Sequence, residues 1–275
     1  MASYFLPCNH LGAGTRTGSL ESARGSRKGD TLDPFRFAFT EQQVMESVTR
    51  ELRDLLFLSY ADDTYILGPA AEILKAFGAL REQLEWVGLE VQAHKGRFWE
   101  REGGDVVRAL PLGMQQVEEG LTVVGVPIGE EDWEVARLRE QLRQLQAPLL
   151  WLPLFDHPQM ASHLLAIAVS AQPMYLARTM LPRPEVVEAF RNWDSCLEDC
   201  FEQLFPPSIW EQAPDRSRRA RMQLHLPVRL GGFGIRATAS LSPLSNVCGW
   251  AQAARDIAQL GVAAEEAIFA EYLTT

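Results

Sequence analysis

Apolar positions along the chain recur in two different textures. In the first, the stretch from Pro34 to Leu52, PFRFAFTEQQVMESVTREL, puts Phe37, Val44, Met45, Val48 and Leu52 near helical spacing. This predicts one amphipathic helix, with Asp30 or Asp33 available to cap its start. LLFLSY and TYILG follow, short and rich in strand-forming residues, and they predict two strands joined across Ala61-Asp62-Asp63 as a tight hairpin. Pro69 suits the first turn of a second helix and Gly88 its end, with Ile73, Phe77, Leu80, Leu84 and Val87 on one face between them. LEVQ and LTVVGVPIG read as further strands. The order helix, hairpin, helix, strand, strand predicts an α+β arrangement, an antiparallel sheet covered by helices on one face.

After Gly129 the texture changes. Val135, Leu138, Leu142, Leu145 and Leu149 repeat at alternate steps of three and four, and HPQMASHLLAIAVSAQPMYLA and PEVVEAFRNWDSCLEDCFEQLF are also helix-like. Prolines at 148, 153, 158, 173, 182, 184, 206 and 207 divide this half into short helices rather than one coiled coil. Residues 1 to about 25 are rich in Gly, Ser and Thr without a sustained period, a loose leader. Three parts follow: 1–25, an α+β region over 26–129, and a helical region over 130–275.

Composition adds constraints on partners. With 275 residues, 47% hydrophobic and 23% charged, the chain resembles an ordinary globular protein. Acidic residues outnumber basic ones by 36 to 26, and a net charge of −10 repels a phosphate backbone unless the cations are segregated. One local concentration exists, DRSRRARMQ, where Arg216, Arg218, Arg219 and Arg221 form either an exposed helix face or a phosphate grip. Cys8, Cys196, Cys200 and Cys248 form no CxxC pair, which predicts free thiols, with Cys196 and Cys200 packed on one face of a helix. No apolar run in the sequence is expected to approach the roughly 20 residues that span a bilayer, and no basic segment stands before an apolar one at its start. The expectation is an intracellular protein, nuclear or cytoplasmic, without a membrane partner.

The adjacent carboxylates of Asp62 and Asp63 interrupt two apolar strands where no cation is near in sequence. Aspartate is a favoured turn residue, so a solvated turn accounts for them; so does a divalent cation held between them. Context favours the second. Tyr60-Ala61-Asp62-Asp63 between apolar strands resembles the YxDD motif in the palm domain of reverse transcriptases. Upstream, GSRKGDTLDPFRFAF resembles that family's motif B, with Lys28 and Thr31 standing where Gln and Pro are usual. Downstream, GLEVQAHKGRFW is similar to motif D, VVGVPIG to the primer-grip hairpin, and LHLPVRLGGFGIR to a block that follows the polymerase region in some retrotransposon-type members. The blocks stand in the family's order and cover most of the chain from about Gly25.

The resemblance implies a polymerase palm followed by a helical thumb-like region, and two-metal phosphoryl transfer with Mg²⁺ or Mn²⁺ on an RNA or DNA template-primer. It implies Asp62 as the main metal ligand, Asp63 as its support, and Lys95 near the departing phosphates as a point charge or acid. Arg27, Lys28, Gly29 and Tyr60 are implied at nucleotide or template, and the Val124-Gly125-Val126 strand at the primer. The family also needs an aspartate from motif A, which precedes motif B. Only about two dozen residues precede motif B here and none is an aspartate. The expectation is therefore a truncated reverse transcriptase, inactive alone and binding metal weakly, unless a separate fingers and motif A polypeptide completes it. The alternative is a non-catalytic module that binds nucleic acid or protein on the remaining scaffold. For the Gly231-Gly232 block the sequence implies only a tight turn.

Overall fold

Helix α1 (Asp33–Glu51) carries Pro34 in its first turn, where the missing N–H costs nothing. The Asp30 side chain accepts the Leu32 N–H (3.0 Å) and braces the turn before the helix, while neither Asp30 nor Asp33 caps it. Strands β1 (Leu56–Tyr60) and β2 (Asp63–Leu67) pair antiparallel, and helix α2 (Ala70–Trp86) follows, with Pro69 at its N-cap. Gly88 and Leu89 close the end of α2 by donating to Glu85 and Leu84 carbonyls. Val44 and Val48 of α1 meet Leu80 and Leu84 of α2, and Phe57 and Ile66 of the hairpin pack against that cluster. The two helices thus cover one face of the hairpin, as the periodicity predicts.

The computed structural model describes residues 30–52, 55–100, 110–111, 113–205 and 214–259. The chain is of the α+β class and divides into two units, Met1–Val117 and Glu118–Thr275. The expected single antiparallel sheet does not form among the described residues. The described residues form three two-stranded ladders: β1 with β2, β3 (Arg97–Trp99) with β4 (Gln115–Val117), and β5 (Gly120–Val123) with β6 (Val126–Gly129). The middle ladder is parallel, and its two strands stand far enough apart in sequence for the long connection that parallel pairing needs. LEVQ is not a strand. Its alternating Leu89 and Val91 pack on the α1–α2 core, so the apolar pattern is real, but among the described residues no strand pairs with it. LTVVGVPIG is a hairpin rather than one strand: Val124 (φ 47°) and Gly125 (φ 82°) are both left-handed, the two-residue turn that matches strand twist.

In the second unit, Gly120 and Gly129 face each other across β5 and β6, and a Cβ on Gly129 would lie 2.3 Å from the Glu119 carbonyl oxygen. Glycine is required there by close approach of two backbones. The hairpin is built onto helix α3 (Glu131–Gln144): Glu134 accepts the Gly129 N–H (3.0 Å) and pairs with Arg183. Short helices α4 (Ala147–Trp151), α5 (Pro158–Leu164) and α6 (Met174–Thr179) follow, with a π-turn over Leu165–Val169, each broken near a proline as expected.

Helix α7 (Pro184–Gln203) is the centre of this unit. It buries Val186, Ala189, Phe190, Trp193, Leu197, Cys200 and Phe201 against Val135, Leu138 and Leu142 of α3, and it also packs on helix α9 (Thr238–Gln259). Pro243 inside α9 cannot donate to the Ala239 carbonyl, and the Ser242 hydroxyl donates there instead (3.2 Å). The helical run Pro158–Thr179 is long and apolar enough to cross a membrane on length and composition, which corrects the expectation that nothing approaches that length. The run places Ala161, Leu165, Val169 and Ala177 in the core of the second unit.

Candidate functional site

The Tyr60–Asp63 turn forms because the strands before and after it share one inward face. Phe57 pairs with Ile66 and Ser59 with Thr64, so these four lie together, and Tyr60 pairs with Asp63 on the opposite face. Only Ala61 and Asp62 form the turn, and Asp63 is the first residue of β2. Ala61 sits at φ 55°, a left-handed conformation that an alanine adopts at a cost of about 1 kcal/mol. Both carboxylates and the Tyr60 ring are exposed. The Tyr65 hydroxyl donates to Asp63 Oδ2 (3.4 Å), and neither aspartate forms an ion pair among the described residues.

Lys95 lies in the same unit, exposed at the end of a single 3₁₀ turn, Ala93–Lys95, and makes no ion pair with either aspartate. Gly125 belongs to the other unit. Its carbonyl accepts from Gln141 Nε2 (2.9 Å), and the Val124 carbonyl accepts from the Tyr175 hydroxyl (2.9 Å). Val124-Gly125 is thus a turn held down from α3 and α6, with Val126 opening β6, rather than part of one continuous strand, because two consecutive left-handed residues reverse the chain. Arg27, Lys28 and Gly29 lie outside the described residues.

Among the described residues, no group of three or more His, Cys, Asp or Glu side chains stands where it could hold a metal ion. Two exposed carboxylates suit a single hydrated cation. They do not fit the bridged pair of ions that phosphoryl transfer requires, because two divalent ions at close spacing need several shared carboxylates to offset their repulsion.

A third carboxylate near the turn escaped the sequence reading. Glu41 of α1 is buried, in line with Val44 and Val48 on the inward face of the helix. Its Oε1 accepts from the Ser59 hydroxyl (2.7 Å) and from the Thr64 hydroxyl (3.0 Å). The signal was available: α1 carries a glutamate at a core-period position, and each strand carries a hydroxyl at an inward one.

The LHLPVRLGGFGIR block also gains a place. Gly231 (φ 80°) ends a short turn over Val228–Leu230, and a Cβ on Gly232 would sit 2.0 Å from the Leu226 carbonyl oxygen. The tight turn expected there is present and has a purpose: it folds Phe233 onto Phe201 of α7 (ring centroids 4.7 Å apart) and Ile235 into the core. Arg236 then donates to the Ala166 carbonyl of the π-turn (3.2 Å).

Helix α8 (Pro214–His225) precedes that block. Its Arg221 pairs with Glu202 (2.8 Å) and Glu198 (3.5 Å) of α7, so it is committed to holding α8 in place, whereas Arg218 and Arg219 are exposed. His225 bridges Glu198 (3.0 Å) and the Ile235 carbonyl (3.1 Å). Asp194 accepts the first two N–H groups of α9, from Thr238 (2.8 Å) and Ala239 (2.9 Å). Burial raises its pKa above the usual carboxylate value, against the opposing pull of those N–H groups and of nearby His225. Cys196 and Cys200 are free thiols on α7, as expected, and burial pushes the Cys200 thiol up to about 11.

Comparison with known proteins gives one match of note. The chain is 24% identical over 230 residues to the "Retrotransposable element SLACS 132 kDa protein" of Trypanosoma brucei gambiense, a stretch that takes in 83% of this chain and 18% of that protein. The chain thus spans less than a fifth of that relative's length. No protein-family model matches, and no solved structure does.

Proposed function

We propose that this chain derives from the reverse-transcriptase region of a retrotransposable element and that it has no polymerase activity of its own. The observation that carries the reading is the Tyr60-Ala61-Asp62-Asp63 hairpin, closed by a two-residue turn and backed by α1 and α2, with both carboxylates at its exposed end. The similarity to a retrotransposable-element protein across 83% of the chain supports the descent. In this reading residues 26–129 correspond to part of a polymerase palm and the helices after Gly129 to a thumb-like region. Asp62 and Asp63 are then former metal ligands that now hold one hydrated Mg²⁺ or Mn²⁺ weakly. By sequence order Lys95, Tyr60 and Val124-Gly125 would correspond to the family's residues for phosphate, template and primer, without the two bridged metal ions that the reaction uses. A net charge of −10 further opposes a template-primer.

The test is extension of a DNA primer on an RNA template with Mg²⁺ or Mn²⁺, beside Asp62→Asn. We expect both chains to be silent. Incorporation by the unmodified chain that Asp62→Asn abolishes would overturn the inactivity and leave the descent standing.

A second reading, a non-catalytic module that binds another protein, is favoured by a run of exposed apolar side chains in the second unit. Leu150 (76%), Leu154 (73%) and Ile167 (71%) are exposed there, as are Trp151 and Met160. Anisotropy with labelled single- and double-stranded nucleic acid across a salt series separates this from a nucleic-acid role. We expect binding no tighter than about 10 μM at physiological salt.

A further inference from the structure

We infer that Glu41 is the positioning residue of the Ala61-Asp62 turn and of Asp63 beside it. The inference rests on reading that turn as the chain's functional feature, and it concerns how the turn is held rather than what it binds.

Three facts converge on Glu41. It occupies a position where the helix period calls for an apolar side chain, and no cation among the described residues pairs with it. A buried carboxylate left so is costly unless its lone pairs are met, and an apolar residue would fill the same place without that cost. The lone pairs of Oε1 are met by hydroxyls from both strands, Ser59 on β1 and Thr64 on β2. Those two residues are a register pair, the one immediately behind Tyr60 and Asp63. One oxygen therefore grips both strands of the hairpin a single step from its turn.

Packing alone does not supply what this grip supplies. Phe57 and Ile66 anchor the hairpin to the α1–α2 core, but they lie two residues farther from the turn, and apolar contact has no preferred direction. Among the described residues no third strand pairs with β1 or β2, so no ladder fixes the hairpin's tilt. Hydrogen bonds to a carboxyl oxygen are directional. By accepting from both strands, Glu41 fixes the spacing of the strand ends and the angle at which the turn leaves α1. The direction in which Asp62 and Asp63 project follows from that angle.

The claim is about acceptor geometry, and the conservative variant separates it from a generic contribution to folding. Glu41→Gln keeps an oxygen at the same place; Glu41→Ala removes it; the double variant Ser59→Ala with Thr64→Val removes the donors. On the full chain, amide exchange of the β1–β2 ladder should accelerate about tenfold in Glu41→Ala and in the double variant, and stay within about twofold of the original in Glu41→Gln, with α2 amides unchanged in all three. Mn²⁺ titration should broaden the Asp62 and Asp63 amide resonances, at a midpoint about threefold higher in Glu41→Ala and unmoved in Glu41→Gln.

Equal exchange in all the chains overturns the inference, as does a uniform loss of protection that includes α2, or damage by Glu41→Gln equal to that by Glu41→Ala. If Glu41→Ala does not fold, the double variant and Glu41→Gln decide the question. If Mn²⁺ broadens nothing even in the unmodified chain, the cation reading of the turn fails, while the exchange pattern still decides the role of Glu41.

Discussion

The two units invest their residues differently. In the first, a core of Val44, Val48, Leu80 and Leu84 supports a hairpin whose inward face is partly polar and whose turn exposes two carboxylates. In the second, a core that runs from Val135 through Trp193 to Ile235 is almost wholly apolar, and its charged groups are spent on fastening helices to one another. Glu41 and Asp194 make the contrast concrete, since each is a buried carboxylate on a helix that accepts two hydrogen bonds through one carboxyl group. Asp194 serves a helix terminus and hence the fold. Glu41 serves the pair of residues behind an exposed turn. The same device does architectural work in one unit and aims a surface feature in the other.

The strongest way to break the comparison is Trp193→Ala in α7. Trp193 is 1% exposed, and its truncation should cost about 3–5 kcal/mol, with loss of amide protection in α7 and α9 and none in the β1–β2 ladder. Parallel loss in both would show one cooperative body where we describe two cores. Leu80→Ala, in the smaller core, should cost about 2–4 kcal/mol and free the amides of α1, α2 and the hairpin together, read by the same exchange measurement.

Asp194→Asn keeps one acceptor and loses the other, at a cost of about 1–3 kcal/mol in urea unfolding. It should also change the pH dependence. Because the folded-state pKa of Asp194 is raised, its contribution is full below the ordinary carboxylate value and is lost as pH rises through the raised value. The melting-temperature gap between the original chain and Asp194→Asn should therefore narrow as pH rises through that window. A gap that widens over the same range would mean that the N–H bonds from Thr238 and Ala239 outweigh desolvation. The smallest effect is expected at the turn: Asp62→Asn should leave the melting temperature where it was, since the side chain is exposed and unpaired among the described residues.

Most of the helices were legible because burial in a helix leaves a periodic trace. Leu80 and Leu84, and Val135, Leu138 and Leu142, are buried where the spacing put them. The β1–β2 hairpin was legible for a related reason, as its turn residues and short apolar flanks are local. What failed was pairing between distant segments. Leu89 and Val91 alternate like a strand because both reach the core, and alternation reports burial rather than a hydrogen-bonded neighbour. The parallel ladder of β3 with β4 leaves no local mark, since its register depends on residues on both sides of a long connection. Glu41 was missed because a lone polar residue in an apolar stripe is ambiguous until the hydroxyls of Ser59 and Thr64 are known to face it. Gly232 announced a turn, but only the Leu226 carbonyl beside it shows why no side chain is tolerated.

The cap on α9 carries a consequence for the order in which the second unit assembles. The carboxylate that satisfies the first N–H groups of α9 comes from a residue 44 positions earlier in the chain, not from the turn that precedes the helix. A helix whose start is stabilised at such a distance cannot be secured by local nucleation alone, since closing that loop must come first. In a refolding experiment α7 should therefore acquire exchange protection before the first turn of α9 does. During synthesis, with α7 complete and α9 still to emerge, Asp194 waits as a carboxylate whose partners have not yet been made.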